Sequence, residues 1–173
     1  KDEGLISLRY DFIEVVVNGD SKGIYAIEEH FNKELIERNH FKEGLMFGLN
    51  YENELKIFNE KKIADSPGMK DQLNLLRSKW SSYMSGDLDV SKIFDLSQYA
   101  KFFSIVELLN GHHAALQQNL KMYFNPVTNL IEPVAREYNS LRYQDGFSNN
   151  PLMIEEMNWK KGDFSGENKL VEL

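Results

Sequence analysis

The chain has 173 residues, 42% of them hydrophobic and 27% charged, with a net charge of −7 and no cysteine. That length and balance suit one folded domain with a sizeable core, and the acidic charge speaks against nucleic acid or an anionic membrane surface as a general partner, since both need clustered Lys and Arg. Without cysteine there are no disulfides, thiolate nucleophiles or thiolate zinc sites, and no apolar run approaches the roughly 20 residues that cross a bilayer as a helix. The opening residues, Lys1-Asp2-Glu3-Gly4, lack both Met and a signal-peptide apolar core, so we expect an excised domain or a fragment whose address has been removed.

In chain order, Tyr10 to Val17 has the β-branched and aromatic density of a strand, and Asn18-Gly19 is a hairpin turn leading into a second strand from Gly23 to Ile27. From His30 to Asn39, Phe31, Leu35 and Ile36 recur at helical spacing among charged residues, which predicts a short amphipathic helix; Gly44 to Leu49 reads as a strand. The polar, lysine-rich stretch from Tyr51 to Pro67 reads as a loop with a short element around Leu55 to Phe58. Two helices follow. Leu73, Leu76, Trp80 and Met84 line one face of the first, which Gly86 stops. Tyr99, Phe102, Phe103, Val106 and Leu109 line one face of the second, which starts at a capping-box-like Asp95 and Gln98 and runs to Asn110-Gly111. The aromatic residues of these helices are core positions. A hairpin is predicted from Leu120 to Phe124 and Leu130 to Val134, joined by Asn125-Pro126-Val127-Thr128-Asn129. Beyond Asn139 the chain is rich in Asn, Gly and charge, with a short helix at Pro151 to Met157.

The segment Gly111 to Asn139 carries the most chemistry, because it puts Asn119 before that hairpin and Glu137 after it. In protein kinases an Asn of the catalytic loop and an Asp beyond the next hairpin hold the magnesium ions that neutralise the transferring phosphoryl group. Phe94-Asp95-Leu96, the helix ending Glu107-Leu108-Leu109-Asn110-Gly111, then His113, Asn119, Tyr123, Asn125-Pro126 and Glu132-Pro133, together with the strand, turn and strand from Phe12 to Glu29, resemble the spore coat protein H (CotH) kinase-like family. The resemblance spans Tyr10 to Asn139 and leaves 140–173 as an irregular tail. It implies a single α+β domain with a partial, atypical kinase-like fold, ATP and magnesium as cofactors, and a secreted or cell-surface setting. The upstream strands that carry the family's nucleotide-contacting Lys would lie outside this chain.

Within that resemblance Asn119 and Glu137 are the expected metal ligands. Asn119 is otherwise a polar residue starting a strand, and Glu137 a solvated surface acid. The family places Asp where Glu137 stands, often with a second Asp where this chain has Asn139. The kinase base, five residues before the metal-binding Asn, falls on Ala114, so His113 is the candidate base or substrate contact, against the alternative of a hydrogen-bonded loop residue. Lys22, in an Asn18 to Gly23 turn that reads more readily as a plain hairpin, and Arg136, also readable as a surface charge, are the candidate phosphate contacts. The chain is therefore expected to be a divergent kinase-like enzyme acting on Ser or Thr of extracellular or surface proteins. The alternative is an inactive binding module on the same fold that recognises a protein or glycan.

Overall fold

The computed structural model describes residues 3–109 and 111–136. It is a mixed α+β fold built on a five-stranded sheet, with a separate two-stranded ribbon. The sheet strands are β1 (Ile6–Ser7), β4 (Leu45–Leu49), β5 (Leu55–Ile57), β6 (Lys121–Phe124) and β7 (Ile131–Ala135), in the order β1-β7-β6-β4-β5. All neighbours are antiparallel except β1 and β7, which run parallel.

Both faces of this sheet are covered, and the strand sequences show why. In β4, Leu45, Phe47 and Leu49 face one way and Met46 the other; in β6, Met122 and Phe124 oppose Tyr123. This is the two-residue alternation of a strand with an apolar residue on each side, which reads as a continuous apolar run. The first face packs on α3 (Pro67–Ser85) through Leu73, Leu76, Trp80 and Tyr83, and on α4 (Leu96–Leu108) through Tyr99, Phe102 and Val106. The second packs on α1 (Lys33–Arg38) through Leu35 and Ile36, with Ile6 and Val134.

Helix ends follow local chemistry. Asn32 caps α1 by accepting from the Leu35 amide, and Asp95 caps α4 by accepting from the Gln98 amide, as its spacing predicts. Gly86 ends α3 in a left-handed conformation, φ 84°. The expected loop from Tyr51 to Pro67 is more structured than its polar composition suggests: it holds β5 and a one-turn helix, α2 (Glu60–Ala64), anchored by buried Ile63. The short strand β1, not anticipated from sequence, takes its place by pairing with β7.

The ribbon consists of β2 (Tyr10–Val17) and β3 (Asp20–Glu28), joined at Asn18-Gly19. Both turn residues have positive φ, 53° and 88°, as a tight hairpin of this kind demands. Neither strand joins the larger sheet, and Phe12, Ile24, Tyr25 and Ile27 are exposed on it. At its base Glu29 accepts from Arg38 Nε at 3.0 Å and Nη2 at 2.5 Å and from the Arg9 amide, while Arg38 Nη2 also donates to the Ser7 carbonyl. These bonds fasten the ribbon to α1 and β1. The expected helix at Pro151 to Met157 lies outside the described residues.

Candidate functional site

The site is built at the open end of the β6–β7 hairpin. The far end is closed by the turn Asn125 to Asn129. There the Asn125 amide donates to the Leu130 carbonyl, and the Asn125 side chain accepts from the Val127 amide. Its Nδ2 also donates to Glu132 Oε1 at 2.7 Å, so the Asn-Pro and Glu-Pro pairs of the sequence meet inside the fold. Glu132 is only 4% exposed. Burial pushes its carboxyl up, Asn125 counters this, and the nearby charge of Asp95 adds to the rise.

The hairpin register decides what meets at the other end. Lys121 lies opposite Val134 and Met122 opposite Pro133. Pairing ends at Lys121 and Val134, with Asn119 two residues before Lys121 and Arg136 two residues after Val134 in the chain. Asn119 itself lies in the turn before β6, and its amide donates to the Leu116 carbonyl. Its side-chain Nδ2 donates to the His113 carbonyl at 3.0 Å and sits 3.2 Å from His113 Nε2. The NH2 side is thus committed, and among the described residues no hydrogen bond reaches Oδ1. A neutral carbonyl oxygen so presented suits a hard divalent cation.

The loop from Gly111 to Leu120 holds this arrangement through a 3-10 turn, His112–Ala115, seated on buried Ala114 and closed by buried Leu120. Ala114, at the position of a kinase base, faces the core at 1% exposure, whereas His113 is exposed beside Asn119. His112 turns to Glu107, Nε2 to Oε2 3.4 Å, and so diverges from His113. Among the described residues no group of three His, Cys, Asp or Glu is placed to hold a metal. His112, His113 and Glu107, close in sequence, do not form such a group.

The two candidate phosphate contacts stand apart. Lys22 is near the ribbon tip, 3.8 Å from Asp20 Oδ2. Arg136 is at the ribbon base, its Nε 3.5 Å from Glu28 Oε1 and its guanidinium carbon 5.2 Å from the centre of the Phe31 ring. Of the expected site residues, the fold brings Asn119 and His113 together just before β6. It does not bring Lys22 to them. Glu137 lies outside the described residues, as does Asn139. Glu28 and Glu29, at the base of the ribbon, are both engaged: Glu28 accepts from Tyr10 Oη and faces Arg136, and Glu29 holds Arg38 and Arg9.

Sequence reasoning did not anticipate Gln117. Its Nε2 donates to the Asn50 carbonyl at 2.9 Å and to Asn53 Oδ1, tying the loop to the turn between β4 and β5. That turn is itself fixed, because the Asn50 side chain accepts from the Glu52 and Glu54 amides and Trp80 Nε1 donates to the Asn53 carbonyl. Nothing in the spacing of the Gln117-Gln118 pair signals such a contact.

The fold and site define a mixed α+β protein with an amide-bearing loop beside a hairpin. The sequence matches no protein-family model and no curated protein.

Proposed function

We propose that this chain is a divergent kinase-like domain of the spore coat protein H type, binding ATP through magnesium and transferring a phosphoryl group to Ser or Thr of an extracellular or surface protein. The observation that supports this reading is the contact of Asn119 with His113 in the turn just before β6, the strand that pairs with β7. A metal ligand from the loop and a carboxylate from beyond β7 would thereby share one cation.

In this reading Asn119 Oδ1 and the Glu137 carboxylate would hold the ion, while Arg136 is engaged with Glu28 and the Phe31 ring at the ribbon base. Bound magnesium would neutralise charge on the phosphoryl oxygens. His113 would take the proton of the acceptor hydroxyl as the new oxygen–phosphorus bond forms and the bond to the departing ADP breaks. The longer Glu in place of Asp would shift the ion by about one methylene.

Titration of ATP with and without magnesium into this chain and into Asn119→Ala tests the reading. Metal-dependent binding that falls at least about tenfold in the variant supports it; binding indifferent to magnesium or to Asn119, or none at all, overturns it. A second reading, a non-catalytic protein-binding module, is favoured by the exposed apolar side chains and open edges of the β2–β3 ribbon. It expects a protein partner whose affinity is unchanged by ATP.

A further inference from the structure

We propose that Gln117 is a positioning residue for Asn119. Its carboxamide clamps the loop 111–120 to the β4–β5 turn and so sets where the Asn119 oxygen stands relative to the end of β7. The inference rests on the reading of Asn119 as a metal ligand.

The loop has two apolar anchors, Ala114 at 1% exposure and Leu120 at 3%. Between them Leu116 is 43% exposed and Gln118 is exposed, so packing does little to fix the stretch that leads into Asn119. Its internal bonds are local: the amides of Asn119 and Leu120 both donate to the Leu116 carbonyl, and the Asn119 side chain to the His113 carbonyl. At its ends the loop is tied to its neighbours, the Gly111 amide donating to the Val106 carbonyl, His112 facing Glu107, and Lys121 Nζ donating to the Gln118 carbonyl. Gln117 adds a tie to the β4–β5 turn, to which both of its donated hydrogen bonds go.

That turn is a rigid partner. It joins β4, the neighbour of β6 in the sheet, to β5, and it is pinned to α3 through Trp80. Asn53 holds a left-handed conformation, φ 62°, which aims its side chain while its carbonyl receives the Trp80 indole. Since both hydrogen atoms of the Gln117 amide meet acceptors, its orientation is fixed as well. A ligand displaced by about 1 Å loses much of its worth to a cation with strict geometry, so the clamp acts on metal affinity rather than on folding.

The test uses two variants that break the contact from opposite sides. Gln117→Leu keeps the bulk and removes both donors. Asn53→Gly keeps the left-handed backbone and the carbonyl that Trp80 uses, but removes the side-chain acceptor. Hydrogen exchange at the amides of Asn119 and Leu120 reads the clamp without any ligand. Titration of Mn2+ in the presence of ATP, followed by water-proton relaxation, reads the ion. We expect faster exchange at both amides in each variant, unchanged exchange in β6 and β7, and a five- to thirtyfold weaker Mn2+ affinity, on the order of 1–2 kcal/mol. The double variant should be no weaker than the worse single one.

Affinity lost in Asn119→Ala but kept in Gln117→Leu and Asn53→Gly overturns the positioning role and spares the metal reading. Affinity unchanged in all three, or no Mn2+ binding by the parent, overturns both. Unchanged exchange at Asn119 and Leu120 overturns the clamp itself.

Discussion

Single residues settle several features of this fold, and Gly44 shows how little of that is visible in a sequence. It was read only as the start of a strand. In the fold it lies just before β4, beneath the hairpin turn, and a β-carbon there would stand 2.5 Å from the Phe124 carbonyl oxygen, 2.7 Å from Tyr123 Cε2 and 2.8 Å from Pro126 Cδ. One of these is backbone and the others belong to a buried ring and a proline, so none can yield cheaply. Gly44→Ala should therefore cost about 3 kcal/mol of stability, measured by urea unfolding, whereas Gly68→Ala, where a β-carbon meets nothing within 4 Å, should leave stability unchanged or slightly raised. Asn119 differs in kind: its place before a hairpin was legible from spacing and turn chemistry, but the orientation of its amide was not. That orientation depends on the His113 carbonyl, which only the three-dimensional path of the loop brings near.

At the scale of elements, legibility followed length and local signals. The helices α3 and α4 carry three- and four-residue periodicity over several turns, and the Asp95 cap and Gly86 stop fixed their ends to within a residue or two. The β6–β7 strands were shifted by one residue from expectation, because turn chemistry locates a hairpin better than it locates where pairing starts. The elements β1 and α2 were missed. Two residues cannot show a period, and a five-residue helix among lysines owes its form to Ile63 reaching the core. The ribbon was anticipated, but its attachment was not, since it relies on ion pairs between residues distant in sequence. Glu29 is 11% exposed at its side chain and Arg38 is 19% exposed, so removing the carboxylate strands a guanidinium in a confined place. Glu29→Ala should cost about 2 kcal/mol. Hydrogen exchange should speed up in β2 and β3 more than in β4 or β6, because the lost bonds fasten the ribbon and leave the central sheet intact.

Across the whole molecule, two carboxylates held in opposite ways give stability a pH dependence whose sign can be worked out. Burial tends to raise the Glu29 carboxyl, but its bonds to Arg38 and Arg9 outweigh this and hold it below the usual value of 4.5. Its stabilising contribution is present above that value and is lost as pH falls through the lower, folded-state one. Glu132 lies above 4.5 because of burial, despite Asn125. The folded state therefore binds a proton there that the unfolded chain has released, and stability falls as pH rises from about 4.5 through the raised value. The two effects occupy adjoining windows, one on each side of the ordinary glutamate range. Glu132→Gln keeps a carbonyl oxygen for Asn125 Nδ2 while abolishing the charge, so it should flatten the mildly acidic to neutral limb and leave the acid limb in place. Glu29→Gln should do the reverse at a lower overall stability. Urea unfolding of the parent and both variants, followed from about pH 2 to pH 8, separates the limbs; a Glu132→Gln profile parallel to the parent's would mean that this buried carboxyl does not control the upper limb. Because Glu132 fastens the closed end of the hairpin whose open end carries Asn119, the same variant should leave hydrogen exchange at Asn119 and Leu120 unchanged if the two ends are held independently, the loop end by Gln117 and the turn end by Asn125.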